Sequence, residues 1–285
     1  MVKKIVIGGG KGGTGKSTVA TSLAYSLSKE NKVLLLDLDV ECPNDQILLS
    51  IKLDKIKDVE SFIPKFNEEK CKKCGKCGEV CKEHAIVNIK NRFPILVKEQ
   101  CNGCKACKIA CPYGAIENDK QIIGHISKGK IDRLNLISGE LKPGIEEASK
   151  IVNEIKKLVK TTEEKYEFII IDAAPGTHCN VISSMKDNDL FLAVTEPTPF
   201  GAHDVSLVLE LAKKLKLKSK IVLNRSDIGN EKIINKISEK YKSEIISKIP
   251  YNKEIFKQYS DGKPIINNEI ENLKDKIKEI LDKKE

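Results

Sequence analysis

The sequence predicts an α/β fold with a mostly parallel, doubly wound sheet, interrupted once by a small α+β insertion. Three observations carry this reading. Short runs of Ile, Val and Leu alternate with amphipathic segments along most of the 285 residues, a pattern that makes parallel strands with crossover helices on both faces. A glycine-rich phosphate-loop pattern joins the first strand to the first helix. A cysteine-dense stretch breaks the alternation, which then resumes, so the stretch occupies a loop of the fold rather than one of its ends.

Taken in order, Lys3–Gly8 reads as a short buried strand, Lys16 to about Lys29 as a helix, and Val33–Asp37 as a second strand. The alternation stops after Pro43. From about Ser61 to Lys120 the chain is dense in Cys, Lys and Gly, with no helix of ordinary length. It resumes near Arg133: Leu134–Ser138, Phe168–Asp172, Leu190–Thr195, Lys220–Leu223 and Glu244–Ile249 read as strands. Between them, Ile145, Ala148, Ile151, Val152, Ile155, Leu158 and Val159 share one face at helical period. The expected main domain is therefore 1–60 with 121–285, and the insertion is 61–120.

Bulk composition narrows the class. The chain is 40% apolar and 32% charged with a formal charge of +9, ordinary for a globular domain. No apolar run reaches the ~18 residues of a membrane span, and the charged N-terminus enters a strand directly, so no signal peptide and no stable membrane insertion are expected. Ten cysteines in such a chain point to metal or redox chemistry in a reducing, cytoplasmic setting rather than to disulfides. The basicity is spread over helix faces interleaved with Glu and Asp, as solvated faces are. From Glu68 to Lys120 there are 11 Lys and Arg against 7 Asp and Glu, a net of +4. An anionic metal group held by those cysteines would cancel part of that charge. Nucleic-acid binding is not expected.

Gly10-Lys11-Gly12-Gly13-Thr14-Gly15-Lys16-Ser17 fits G-x-x-x-x-G-K-[ST], with the strand and helix the motif requires on either side. Glycines let backbone N–H groups curl around phosphate oxygens, and the helix N-terminus adds positive potential. Lys16 is expected on the β- and γ-phosphates of ATP and Ser17 on Mg²⁺, with Thr18 completing the nucleotide contact.

In the insertion, Cys71, Cys74, Cys77 and Cys81 recur 30 residues later as Cys101, Cys104, Cys107 and Cys111, and Ala85-Ile86 recurs as Ala115-Ile116. Each set reads C-x2-C-x2-C-x3-C, and Pro112 follows the second; Lys82 stands at the matching place after the first. Two-cluster ferredoxins share this pattern, and in them the fourth cysteine of each run ligates the other cluster. Cys71, Cys74, Cys77 and Cys111 are thus assigned to one [4Fe-4S] cluster, and Cys101, Cys104, Cys107 and Cys81 to a second. Zinc is the competing reading, but structural zinc sites normally use two separated pairs.

The second lysine of the phosphate loop, Lys11, resembles the deviant Walker A motif of MinD, ParA and the nitrogenase iron protein. That resemblance implies an ATP-dependent homodimer in which Lys11 reaches the partner's nucleotide. Leu34-Leu35-Leu36-Asp37-Leu38-Asp39 resembles the strand entering switch I, with Asp39 orienting the attacking water. Phe168–Asp172 followed by Ala173-Ala174-Pro175-Gly176 resembles Walker B and switch II. Asp172 would then hold Mg²⁺ and Gly176 sense the γ-phosphate, although a strand-end aspartate can also be a helix cap. Asn224, Pro250 and Asn252 match base-contacting positions, Asn252 standing where Asp is usual. With Thr195-Glu196-Pro197-Thr198-Pro199-Phe200-Gly201, Asp204 and Cys179, the whole chain resembles MinD-superfamily P-loop ATPases carrying an inserted ferredoxin domain.

Two residues are open to two readings. Cys42 is an ordinary small residue of switch I or part of a site. Cys179 is a buried thiol opening a helix, or the counterpart of a ligand to the dimer-bridging cluster of the nitrogenase iron protein. The functional expectation is an Mg-dependent ATPase, a hydrolase, that gates electron transfer through two clusters to a partner protein. The alternative is an ATP-dependent iron–sulfur cluster carrier of the Mrp type. Those carriers use a C-terminal C-x-x-C, and no cysteine follows Cys179.

Overall fold

The computed structural model describes residues 2–283. Along the chain run β1 (Lys3–Gly8), α1 (Lys16–Ser28), β2 (Val33–Leu38), the single turn α2 (Asp45–Leu48) and β3 (Asp54–Phe66). The cysteine segment follows with α3 (Lys76–Glu79), β4 (Ile86–Val87), β5 (Ile95–Leu96) and α4 (Ala106–Ala110). Then come β6 (Ile116–Ile131), β7 (Leu134–Leu141), α5 (Ala148–Lys160), β8 (Phe168–Ala173), α6 (Cys179–Met185), β9 (Leu190–Thr195) and α7 (Pro199–Lys214). The chain finishes with β10 (Ser219–Asn224), α8 (Glu231–Tyr241), β11 (Ile245–Ile249), α9 (Lys253–Ser260) and α10 (Asn268–Asp282).

Nine strands form one sheet in the order β11-β10-β9-β1-β8-β2-β7-β6-β3. The pairings from β11 to β7 are parallel, and those of β7 with β6 and β6 with β3 are antiparallel. The expected mostly parallel α/β sheet is present. Alternate side chains of β1 feed opposite faces. Ile5 and Ile7 pack with Leu23 and Leu27 of α1 and Leu273 and Ile277 of α10. Val6 belongs to the other layer, with Ile151 and Ile155 of α5 and Val205 and Leu209 of α7. The apolar face foreseen for α5 is the buried one, and the C-terminal helix packs on the core.

The sequence reading missed β3 and β6. They pair over most of their lengths, from Asp54 opposite Lys128 to Phe66 opposite Ile116. β7 accompanies β6 only from Gly124 to Ile131, so the remainder projects beyond the sheet as a two-stranded ribbon. The N–H of Asn67 donating to Ala115 O at 2.8 Å closes its far end, where the cysteine segment begins. The expected boundaries near 60/61 and 120/121 therefore fall inside a ladder, where Ser61 faces Gln121, and not in linkers.

The 30-residue repeat is written in the backbone. Lys73 and Gly103, Gly75 and Lys105, and His84 and Gly114 are left-handed pairs at matching positions, with φ of 56 and 69, 83 and 65, and 52 and 59°. Ala85-Ile86 and Ala115-Ile116 are all buried. Lysines and a histidine tolerate this region at a cost that glycine avoids, so the loop shape is imposed by the repeat and not by local preference.

Candidate functional site

β1 ends at Gly8 among buried residues, and the chain turns through Gly9–Gly15 to start α1 at Lys16. Gly15, at φ 90°, is the N-cap. A side chain at Gly10 would collide with Asp204, so α7 seats directly against the loop. Lys16 is 6% exposed, and its ammonium donates to Lys11 O at 2.9 Å. Burial lowers its pKa, while Asp172 and Asp39 act in the opposite direction. Gly176, at φ 92°, donates its N–H to Gly9 O at 3.0 Å, tying the segment after β8 to the phosphate loop.

Two clefts flank Lys16. One, of about 280 Å³, is lined by Gly13, Gly15, Lys16, Ser17 and Thr18 together with Asn224, Pro250 and Asn252. Eight of the residues expected to contact nucleotide thus meet in one place, whereas Gly10, Lys11, Gly12, Thr14 and Gly176 do not line this cleft. Asn224 Nδ2 donates to Thr14 O at 2.9 Å, fixing the end of β10 against the loop. Asn252 caps α9, its Oδ1 accepting from Glu254 N at 2.8 Å; asparagine serves that cap as well as aspartate does. Tyr251, Ile255 and Phe256 supply an apolar wall to this cleft that the sequence reading did not foresee.

The other cleft, of about 780 Å³, lies on the far side of Lys16 and Ser17. Gly12, Asp39, Glu41, Cys42, Glu146, Pro175, Thr177, His178 and Cys179 line it. Cys179 is exposed, as is Cys42. The expectation of a buried Cys179 is corrected: α6 buries Val181, Ser184 and Met185, and its first residue faces the cleft. His178 precedes α6 without a side-chain capping bond.

Close to Lys16 and Asp39 three buried carboxylates converge. One oxygen from each of Asp37, Asp45 and Asp172 lies within 4.8 Å of the others. Asp37 accepts backbone N–H groups from Asp39 at 3.2 Å, Asn44 at 3.0 Å and Asp45 at 3.2 Å. Both oxygens of Asp45 and of Asp172 have no hydrogen-bond partner. Burial pushes Asp37 and Asp45 well above the ordinary carboxylate range, with neighbouring carboxylates adding to the shift. Burial also takes Asp172 up to about 7, against the pull of Ser17 and Lys16. Asp39, half-buried, is raised by burial while Lys16 opposes. Carboxylate oxygens without partners beside a serine at a helix start are hard-oxygen donors of the kind Mg²⁺ takes, one or two carboxylates at a time with waters completing the shell. Asp45 was missed because it sits in a single turn that reads as loop.

At the ribbon's end the cysteines sort by quartets. Cys71, Cys74, Cys77 and Cys111 line one small cavity with Phe66, Pro94 and Ile116. Cys101, Cys104, Cys107 and Cys81 are near enough to influence one another's ionisation. Burial raises Cys77 and Cys101 and pushes Cys107 up to about 11.

Over residues 5–265 the chain matches the family described as the CobQ/CobB/MinD/ParA nucleotide binding domain. It belongs to that family. ATPases of this MinD/ParA type bind and hydrolyse ATP with Mg²⁺, and MinD-like members dimerise on ATP. The "uncharacterized protein MJ0579" of Methanocaldococcus jannaschii is 36% identical over 96% of this chain and 95% of its own. The crystal structure of the Pyrococcus furiosus cell division ATPase MinD is similar in fold, with a TM-score of 0.63 at 21% identity, covering 98% of this chain and all of that one. An iron-sulfur cluster carrier protein of Pyrococcus abyssi is 22% identical, across 92% of this chain and 79% of the carrier. Among the described residues of this MinD/ParA member, no helix is long and apolar enough to cross a membrane. Its Lys11 is exposed, and the ammonium rests 5.3 Å from the ring centroid of Phe200.

Proposed function

We propose that the protein is an Mg-dependent ATPase whose nucleotide cycle gates electron transfer through two [4Fe-4S] clusters to a partner protein. The observation that carries this reading is the crossing of the two cysteine runs. Cys111, the last cysteine of the second run, shares a cavity with the first three of the first run, and Cys81 neighbours Cys101 and Cys107. Two-cluster ferredoxins have this interleaving. Residues 61–120 would then be a ferredoxin module continuous with the sheet through its ribbon.

In this reading Lys16 meets the β- and γ-phosphates, Ser17 and Asp172 hold Mg²⁺, and Asp39 orients the attacking water. Lys11 would leave Phe200 for the partner subunit's phosphates, its charge mattering once two nucleotide sites face each other. Each bound cluster supplies a one-electron couple. The chain's own contribution is to position the quartets and to link them to the nucleotide site. Ser61 of β3 donates to Glu147 Oε2 at 2.5 Å, and Lys150 of α5 donates to Ser61 Oγ at 2.8 Å. Gly103, in the second cysteine loop, lies against Ser61 and Glu147, while Glu146 and Ala148 line the cleft of Asp39 and Thr177. A shift in that cleft has a path of direct contacts to the second quartet.

The carrier reading is favoured by one observation, the similarity to a cluster carrier over 92% of the chain. Both readings need iron. Anaerobically prepared protein should hold about eight irons and eight acid-labile sulfides; stoichiometric zinc with little iron overturns both. Labelled iron in the module then separates them. Under gating the label stays bound while ATP is hydrolysed beside an apo-acceptor, and label that leaves in step with hydrolysis establishes the carrier.

A further inference from the structure

The two quartets differ in what surrounds them. Around the first, Lys72, Lys73, Lys76 and Arg92 line the cavity, and no acidic residue does. All four are exposed. Three lysines of the adjoining ladder are engaged: Lys55 pairs with Asp58, Lys57 with Glu154 and Lys120 with Glu60. The four rim cations pair with no carboxylate among the described residues. Ile89 and Tyr113 stand in the same rim, 43% and 48% exposed, and Cys74 is an exposed thiol among them. The second quartet has Glu147 beside Cys101, its Cys107 is buried, and Asn102 next to Cys101 donates to Glu83 at 3.0 Å. Its Cys104 is exposed, but that loop is seated on Ser61 and Glu147.

Counter-charge for a cofactor does not use up the rim. A four-thiolate cluster carries roughly −2, which cancels half of four cations. The remaining charge encircles an aromatic and an aliphatic side chain, the composition of a protein-docking patch: an apolar centre with Tyr and Arg, and a charged margin. Duplex binding would call for about 6–10 phosphate contacts, and single-strand binding for several aromatic platforms; one tyrosine and four cations supply neither.

The geometry points to this rim as the docking surface for an acidic electron-carrier protein, which seats on Ile89 and Tyr113 and is held by Lys72, Lys73, Lys76 and Arg92. The inference rests on the cluster reading of the quartets and names the partner class for it. It also orders the module, with the first quartet facing the partner and the second facing the ATPase body. Complementary charge of this kind accelerates encounter and makes binding salt-dependent.

The test uses the full-length protein and, as probe, a flavodoxin of strongly negative net charge, with affinity measured at about 50 and 200 mM salt. The parent should bind more tightly at low salt. Lys72→Glu/Lys73→Glu/Lys76→Glu should weaken binding at least about tenfold and flatten the salt dependence. Reversing Lys232, Lys236 and Lys240 on α8 should change it less than about twofold. If the reversed variant loses iron or fails to fold, the Lys→Gln triple at the same positions, checked for parental iron content, replaces it. Equal affinity of parent and rim variant, equal loss in the α8 control, or tighter binding of a DNA duplex of about 20 base pairs through the same lysines overturns the surface. Iron is assayed in every sample. An iron-free parent that still discriminates the rim variant overturns the cluster reading and leaves the surface standing. An iron-replete parent indifferent to the substitutions does the reverse.

Discussion

Replacing Asp172 by asparagine probes one of the buried carboxylates at the nucleotide site. Asp172 is 1% exposed, and burial takes its carboxyl up to about 7 from an ordinary 3.8. Between those values the folded protein keeps a proton that the unfolded chain releases. The nucleotide-free protein must therefore lose stability as pH rises through this window, at ~1.4 kcal/mol per pH unit for each such proton. For Asp172 the gap amounts to roughly 4 kcal/mol, and Asp37 and Asp45, also raised, act in the same direction. Asparagine carries no charge, so Asp172→Asn should stabilise the nucleotide-free protein at pH 8 by about 1–4 kcal/mol, a Tm gain of roughly 2–8 °C. At pH 5, little more than one unit above the unfolded value, the gain should shrink to less than about half of that. With Mg²⁺ and ADP the sign should reverse, because the variant lacks the carboxylate proposed to hold the cation and gains little from the ligand. Anaerobic thermal melts in EDTA and in Mg·ADP, at pH 5 and pH 8, read all four states. A parent Tm that climbs from pH 5 to 8, with the variant following it, would refute the buried-charge argument.

Further perturbations address separate parts. Lys16→Ala should abolish nucleotide binding in a fluorescent-nucleotide titration, whereas Asp39→Ala should bind ATP normally and hydrolyse it at least about a hundredfold more slowly; hydrolysis at the parental rate removes Asp39 from the mechanism. Lys11→Ala should leave monomer nucleotide affinity within about threefold while abolishing the ATP-dependent dimer in sedimentation. Glu147→Ala removes the acceptor of the Ser61 hydroxyl, costing about 1–2 kcal/mol of stability. It should keep iron content and basal ATPase while erasing the ATP dependence of electron flow to an acceptor.

Legibility followed the range of the interactions. β1, β2, β8 and β9 are buried along nearly their whole lengths, so continuous Ile, Val and Leu runs revealed them. The phosphate loop and the cysteine repeat are local as well, so both patterns can be read from spacing alone. β3 and β6 escaped because Asp54-Lys55-Ile56-Lys57-Asp58 and Glu117-Asn118-Asp119-Lys120 are mostly exposed. Each strand is stabilised by a partner far away in sequence, and β propensity is a weak guide on such edges. Asp45 and Phe200 were invisible for a related reason. Their roles depend on Asp172 and Lys11, which reach them only in the folded chain. Cys179 was misjudged because a seven-residue helix offers too few turns to fix its buried face from sequence.

The antiparallel edge also bears on how a nucleotide signal could travel. Val40, one residue beyond Asp39, accepts from Leu141 N at 2.7 Å, and Lys142 N donates to Ile123 O at 2.8 Å. The switch-like segment is thus bonded to β7, and β7 to the ribbon that carries the cysteines. Such a ladder transmits position, but its backbone bonds cannot all change partner at modest cost. Two discrete arrangements are what coupling demands. Ser61, Glu147 and Lys150 can supply them, because they are side chains, and because Glu147 Oε1 is buried without a hydrogen-bond partner and so gains from a rearrangement that gives it one. In the gating proposal the ribbon therefore fixes where the cysteine segment sits, and the Glu147 contact is the part able to report which nucleotide is bound.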